Sequence, residues 1–559
     1  MYKIMRKPDT LKKLFRLFCK VKMKLIENSV KRVKEYTGIQ KEVKRIMKKN
    51  KTAIIDIGSN TIRLVLYSYN KNEGLKEFGN IKTVARLRTY LLPNGEMSEE
   101  GVQLLAETLK SFRLILADYH VTDVKAAATA AVRQAINNDQ IITRMKEETG
   151  ILIDILTEEE EAYYGFVAVA HSMDTPSAVT IDIGGGSTEI TLFINKKLQK
   201  TISFPFGTVS LKQKFVSGTL INKSEREKLR EFVKEQFSSL KWIVDVGLPV
   251  IAIGGSARNI AQVHQQKIGY PLSGVHQYEM NISDLQQLRD YLTEFSYDNL
   301  RQLDGLSSDR ADIIVPAMEV FMALLATVNS NSFLVSKKGL REGLIISRVL
   351  QENSQAYDKY NVFEESGRQL ALAYGRTEEE AQTLETLTEQ LYMGCIDLKL
   401  FEYSEIDLQL LMKAAKVYGI GEYIELDSSS QHTFYLISNQ SIPGLSHMNR
   451  VKLALLASYK NRDYFMRFAR PFDSWISKEE LKKLRDFGAI LKFIYALNMT
   501  KRNIVKNIAV KKVNNEFHIE VMTSERAIAE MAQAEKQKKH IERVFKSDVK
   551  LEFKEERQG

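Results

Sequence analysis

The chain has 559 residues, room for roughly three or four domains at about 150 residues each, and its 44% hydrophobic content allows a sizeable core. Two cysteines, Cys19 and Cys395, give neither a disulfide framework nor a zinc spacing. No run of about 18 apolar residues marks a membrane span, and the basic N-terminus lacks the apolar core of a secretory signal. A cytoplasmic protein is expected. The net charge of +11 is local: residues 1–50 hold 17 of the 81 Lys and Arg but 4 of the 70 Asp and Glu. Leu14, Leu17, Phe18 and Val21 have helical spacing among those lysines. Such a basic amphipathic segment can bind a membrane surface, nucleic acid or a polyanion. Met47, just ahead of the first strand, is an equally good start, with residues 1–46 then an untranslated stretch.

In chain order, the sequence predicts strands from residue 51, helices over about 98–118 and 139–149, strands at 123–127 and 152–156, and a helix from about Glu158. A second set follows: strands at 178–183, 189–194 and 250–253, and helices near 224–240 and 311–325. Alternating strands and helices indicate α/β layers on a largely parallel sheet. From about 351 to 500 the pattern is helical. The last stretch alternates over 507–513 and 516–523 around Asn514-Asn515, then gives a helix to about 545 and a strand at 549–553. The division expected is 1–50, 51–172, 173–350, 351–500 and 501–559.

Two segments say nearly the same thing. TAIIDIGSNTIRL (52–64) and VTIDIGGGSTEIT (179–191) each deliver an Asp from an apolar strand into a tight turn of Gly and small hydroxyl residues. A third strand exit is Gly254-Gly255-Ser256. Backbone N–H groups in such turns can cradle phosphate oxygens, and glycine permits close backbone approach. Gly58, Ser59, Asn60 and Thr61 form one candidate cradle; Gly184, Gly185, Gly186, Ser187 and Thr188 form another. Asp56 and Asp182 facing each other, with Glu189 nearby, suit a divalent cation. One Asp-x-Gly turn alone would be a mere strand exit; the set of three points to a duplicated α/β fold closing on phosphate.

Two further segments carry chemistry. Arg133, after the small residues 129–132, is either a phosphate clamp or a surface arginine paired with a carboxylate. Glu158 to Glu161 open a helix, where the dipole favours them on a solvated face. One that turned into a partly buried cleft could act as a general base for water.

DIGSNTIRL, ATAAVRQA, TEEEEA, IDIGGGSTEI, FPFGTVSL, IAIGGSARN, GLSSDRADII and VSKKGLREG occur in one order. That order resembles the exopolyphosphatase/guanosine pentaphosphate phosphatase family of the actin, sugar kinase and Hsp70 superfamily, closely over 51–350 and loosely beyond. The resemblance implies an α/β protein of two duplicated actin-like (ribonuclease H-like) lobes, a mainly helical HD-like domain and a small α+β C-terminal region. It implies Glu161, rather than Glu160, as catalytic base, and Asp56, Asp182 and Glu189 on Mg²⁺ (or Mn²⁺). It makes Arg133 a phosphate clamp, Arg310 a contact further along the substrate, and the three glycine loops, Gly254, Gly255 and Ser256 included, the phosphate cradles. Departures are Glu158, where the family has a small glycine, and Lys337, where it has an acid.

The C-terminal resemblance is traced by residues 431–437 and 443–446. No His-Asp doublet occurs, and His432 and His447 stand alone, so this HD-like domain is read as lacking metal ligands. Lys460-Asn461 follow Tyr459 where the family has a His-Arg pair. A basic channel or a dimer interface is the role left for it. The expectation is an exopolyphosphatase; the nearest alternative is a guanosine pentaphosphate phosphohydrolase, and those of another class are an ATP-dependent kinase and a silent polyphosphate or nucleotide sensor. A homodimer is expected; nucleic acid is not required, and membrane contact through the N-terminus is the less favoured use of its charge.

Overall fold

The computed structural model describes residues 50–70, 74–513 and 516–556. The basic N-terminal segment, the Met47 start and the Asn514-Asn515 turn lie outside the described residues. Among the described residues no helix is long and apolar enough to cross a membrane.

The first sheet contains β1 (Asn50–Ile57), β2 (Thr61–Asn70), β3 (Gly74–Val84), β4 (Asp123–Ala128) and β5 (Ile153–Ile155), in the order β3-β2-β1-β4-β5. The second contains β6 (Ala178–Ile183), β7 (Thr188–Ile194), β8 (Lys197–Phe204), β9 (Val250–Ile253), β10 (Tyr278–Met280) and β11 (Phe333–Val335), in the order β10-β11-β9-β6-β7-β8. In each, the Asp-bearing strand pairs antiparallel with the strand after it and parallel with a strand that returns through a helix. The second sheet therefore repeats the first five positions and adds β10 at its edge.

Side chains alternate across a strand, and this sorts the cores. Ala53, Ile55 and Ile57 of β1 pack beneath α1 (Glu99–Asp118) and α2 (Asn138–Thr149). Ile54 points to the other face, into a cluster with Leu344 and Ile345. In β6, Val179, Ile181 and Ile183 join the outer core, while Ala178 meets Phe166, Val169 and Ala170. Asp56 and Asp182 have the parity of Ile54 and Ala178, so each emerges on its sheet's inner face.

The inner faces are covered by α3 (Glu158–Ala170) and, further on, α6 (Leu340–Glu352), with α4 (Gly254–Lys267) and α5 (Ile314–Val328) between them in the chain. These two helices cross over. Phe166, Val167, Val169 and Ala170 of α3, which follows the first sheet, pack on the second, where Ile346 of α6 joins them; Leu344 and Ile345 of α6, which follows the second, pack on the first, beside Tyr164 of α3. At their contact Gly343 lies so close to the Tyr164 carbonyl that a Cβ would land on it.

Residues from 363 to 549, joined by Leu272 of the second lobe, build one further core. The expected tail region is part of it. β12 (Val505–Val513), β13 (Glu516–Thr523) and β14 (Val549–Glu555) form a three-stranded sheet, and Phe517, Ile519 and Val521 are buried with the helical residues Leu391 and Phe487. The helical region docks on the second lobe through buried polar groups. Tyr270 Oη and His447 Nδ1 are 2.8 Å apart. Gln277 donates to Leu445 O at 2.9 Å, and Arg450 to Ser273 O at 3.2 Å.

Candidate active site

Both Asp loops close with the same bond. Gly58 N donates to Thr61 O at 3.0 Å, and Gly184 N to Ser187 O at 2.9 Å. The register that follows is also shared: Asp56 lies opposite Arg63 and Asp182 opposite Glu189. Residues directly opposite in a ladder present their side chains on one face. The same turn thus sets an acid beside an arginine in one sheet and beside a second acid in the other. Gly254, with φ +92°, starts α4; a Cβ there would meet Asp182 Oδ1 at 2.6 Å. The helix begins at that glycine, so its free N–H groups and positive dipole end face anions.

These parts converge on a cleft of about 180 Å³ between the sheets. Its walls include Asp56, Gly58, Ser59, Asn60, Thr61, Glu161, Asp182, Gly184, Gly185, Ser187, Glu189, Gly254, Gly255 and Arg310. Five cations, Arg63, Lys82, Arg258, Arg310 and Arg341, share it with the four carboxylates. Arg63, Arg258 and Arg341 were not anticipated, although each lies inside a motif read from the sequence. Lys337 is exposed and is not among the residues of the cleft wall.

The four successive glutamates separate by helical geometry. Thr157 caps α3 and accepts from Glu160 N at 3.2 Å, while Glu160 accepts from Thr157 N at 2.8 Å, a reciprocal capping box. Glu158 sits 3.6 Å from Arg133, and Glu159 is exposed. Glu161 alone of the four lines the cleft.

Four expected ligands have other partners. Arg133 is absent from the cleft wall; its guanidinium pairs with Glu161 and donates to Leu156 O at 2.8 Å. It stands behind Glu161, off the cleft wall. Thr188 is fully buried and donates to Phe206 O at 2.7 Å. Ser256 accepts from Arg310 at 3.2 Å. Gly186 lies against Arg88, where an added Cβ would come within 3.2 Å of the guanidinium. Asn60 lines the cleft but also donates to Asp309 at 3.4 Å, and Lys82 pairs with the same carboxylate at 3.3 Å, so Asp309 ties the two sheets at the mouth.

Burial pushes all four cleft acids upward. Glu161 reaches about 7 through burial, with Arg133 lowering it and Asp182 and Asp56 raising it. Asp182 reaches about 6 through burial, tempered by Arg258. Burial raises Asp56 against the pull of Arg341 and Arg63. Glu189 lies well above the carboxylate range because of burial and its neighbours Glu161 and Asp182; Ser203 donates to it at 3.0 Å. Buried acids crowded this way call for a cation. Among the described residues, however, no three His, Cys, Asp or Glu side chains converge closely enough to cage a metal. The donor set fits Mg²⁺, which usually keeps several waters and takes one or two carboxylates plus substrate phosphate.

Two family models cover most of this architecture, the Ppx/GppA phosphatase family over residues 68–352 and the Ppx/GppA phosphatase domain III over residues 362–542. The chain belongs to the Ppx/GppA phosphatase family. Its paired sheets have that family's actin-like fold, followed by its helical C-terminal domain. The chain is similar to Exopolyphosphatase 1 of Mycobacterium tuberculosis, 23% identical over 303 residues, which cover 54% of this chain and 88% of that one. It is 24% identical over 416 residues to the guanosine-5'-triphosphate,3'-diphosphate pyrophosphatase of Aliivibrio fischeri, covering 74% of this chain and 80% of the other. A bifunctional 3-dehydroquinate synthase/phosphatase of Fusobacterium nucleatum is 28% identical over 327 residues. That match spans 48% of the Fusobacterium protein, about half its length. The crystal structure of an exopolyphosphatase from Cytophaga hutchinsonii matches 54% of this chain and 97% of its own, with TM-score 0.50 and 25% identity.

Proposed function

We propose that this chain is an exopolyphosphatase, releasing terminal orthophosphate from inorganic polyphosphate. The observation that carries the reading is Glu161 on the wall of a cleft lined by two Gly/Ser turns, the start of α4 and five cations. Glu161 takes a proton from water; the oxygen attacks the terminal phosphorus in line, the phosphoanhydride bond breaks, and the shortened chain leaves with the bond's electrons. N–H groups of the turns and of α4 hold the non-bridging oxygens, and Arg63, Arg258, Arg310 and Arg341 hold the charge of the chain. Such fixed donors are most of what phosphoryl transfer asks of a protein. Arg133 orients the Glu161 carboxylate from behind. Bound Mg²⁺ (or Mn²⁺), held through Asp56, Asp182 and Glu189, would neutralise phosphate oxygens. The matching order of strands in the two sheets supports a duplicated lobe, with 51–172 and 173–350 as its halves. Exposed Tyr423, Ile424 and Leu426 support a homodimer through the helical region.

The family's other phosphoanhydride substrate is guanosine pentaphosphate. Among the described residues of the cleft wall none is aromatic, and Ile183, Ile253 and Leu340 are its larger apolar side chains. A purine usually needs an apolar or aromatic surface, so the lining favours an inorganic chain. Phosphate release from both substrates, with Mg²⁺ and with EDTA, tests this. Release from polyphosphate is expected to dominate and to require the metal; preference for the nucleotide would move the assignment to alarmone hydrolysis. Glu161→Gln is expected to lower kcat by about a hundredfold or more, the usual worth of a general base, with polyphosphate binding nearly intact. Retained turnover would remove Glu161 from the role.

A further inference from the structure

A second cavity, of about 310 Å³, lies between the lobes beside the catalytic cleft. Ser59 and Asn60 line both, and they are the residues the two spaces share. Arg86, Arg88 and Thr89, just past β3, form one wall; Val209, Lys212 and Gln213 of the helix Thr208–Phe215 form the other. The partition is thin. Gly185 faces Ser59 so closely that an added Cβ would lie 3.2 Å from the Ser59 Cβ. Each side of that contact hangs on a residue of the second cavity: Arg88 N donates to Ser59 O at 3.2 Å, and Val209 N to Gly185 O at 3.1 Å.

The cavity also approaches the reacting centre from the side of Glu161. Arg88 donates to Gln134, whose neighbour Arg133 pairs with Glu161, and the Arg88 guanidinium lies against Gly186. The two acids of the cavity are committed, Asp312 to Lys212 at 2.6 Å and Asp309 to Lys82 at 3.3 Å. Among the described residues no carboxylate pairs with Arg86 or Arg88. Burial lowers the Arg88 value, with no charged neighbour offsetting it. Two arginines in excess, beside the apolar Val209, Val216 and Ile313, make a wall that attracts a small anion without gripping it, as a passage requires.

We propose that this cavity is the way out for orthophosphate, through the gap between Ser59 and Gly185 when the lobes part slightly. The inference rests on the hydrolase reading above. There the terminal phosphorus lies at Glu161 and the rest of the chain fills the cleft along its cations, so orthophosphate forms on the inner side of the shortened chain. Two anions left in one cleft repel each other. A chain that stays bound for its next cleavage blocks the front, and a second opening lets the product leave without releasing the chain. The partition suits this use, because its two halves belong to different lobes and it carries no side chain larger than that of Asn60.

Two plugs test this in the full chain, Gln213→Trp from one wall and Thr89→Trp from the other. Both positions are exposed, and the thermal transition checks folding. Acid-quenched phosphate reports cleavage, and a fluorescent phosphate sensor reports free orthophosphate. With long-chain polyphosphate and Mg²⁺, the first cleavage in each plug is expected at the parent rate, with free phosphate then appearing severalfold more slowly than in the parent. Tripolyphosphate, whose pyrophosphate remnant leaves and reopens the cleft, is expected to lose little; a merely structural fault would slow both substrates alike. Arg86→Gln removes charge without adding bulk, is expected to slow release in the same direction, and decides if neither plug folds. Free phosphate keeping pace with cleavage at the parent rate would overturn the proposal. A raised KM for long chains with release unimpeded would overturn it too, by putting the chain itself in the cavity. Because cleavage is read apart from release, a parent that forms no phosphate rejects the hydrolase reading, whereas cleavage with unimpeded release rejects only the exit.

Discussion

Glu161 and Arg133 show how one side chain depends on another that never reaches the cleft. Arg133 favours the ionised form of Glu161, while burial opposes it. Replacing Arg133 by Gln is therefore expected to raise the Glu161 value and move the acidic limb of the kcat/KM profile to higher pH, by roughly one unit. Arg133→Lys should restore part of that shift; an unmoved limb in the Gln variant would confine Arg133 to packing. Asp182 gives the opposite kind of prediction. Its folded value of about 6 lies above the ordinary 3.8, so the folded protein holds that proton more tightly than the unfolded chain. The stability this confers is complete below pH about 4 and is lost as pH rises through 6. Metal-free Asp182→Asn is expected to melt higher than the parent at pH 8 and equally at pH 4, while losing activity. A lower melting temperature at pH 8 would contradict the strain assigned to this carboxylate.

At the scale of elements, α3 and α6 meet where Gly343 leaves no room for a Cβ. Gly343→Ala is expected to cost about 1–3 kcal/mol, measured by urea unfolding, and to lower kcat because α3 carries Glu161. Unchanged stability would show that the helices can part freely. Much of this level was legible in the sequence. The two Asp turns, their flanking strands and the capping signal Thr157–Glu160 all act over a few residues. The arginine opposite Asp56 was within reach too: once the Gly58–Thr61 turn is recognised, strand pairing sets Arg63 across from Asp56, as it sets Glu189 across from Asp182. Arg258 and Arg341 were not, because their place depends on where α4 and α6 start. Gly254 reads as a loop residue locally and becomes a helix start only through the third dimension. Arg133 reads locally as either a phosphate clamp or the partner of a carboxylate, and only the approach of Leu156 and Glu161 supplies that carboxylate.

Over the whole molecule, the helical region is joined to the second lobe by buried polar groups set beside an apolar seam, in which Leu272 enters the helical core and Tyr270 packs on Trp475. Arg450 is 1% exposed and donates to Gln440 O at 2.8 Å as well as to Ser273 O. Arg450→Ala leaves both carbonyls unserved, and each charged hydrogen bond is worth about 1.5–3 kcal/mol. Loss of that order in the unfolding free energy is expected, with KM for tripolyphosphate unchanged; a variant as stable as the parent would make the joint dispensable. Neither Arg450 nor its partners could be read from periodicity, because the contact joins positions separated by 177 residues.

The crossed helices also bear on the order in which the protein is made. Ile54 shares a cluster with Leu344 and Ile345, and Arg348 reaches back to Thr52 across 296 positions. On the ribosome, then, the first sheet emerges with one flank bare and waits for α6, at ordinary rates of about 5–20 residues per second, for tens of seconds. A nascent chain that has emerged only to Val335, the end of β11, should look complete in its second half's outer core and still expose the apolar flank of its first, the form a chaperone would meet.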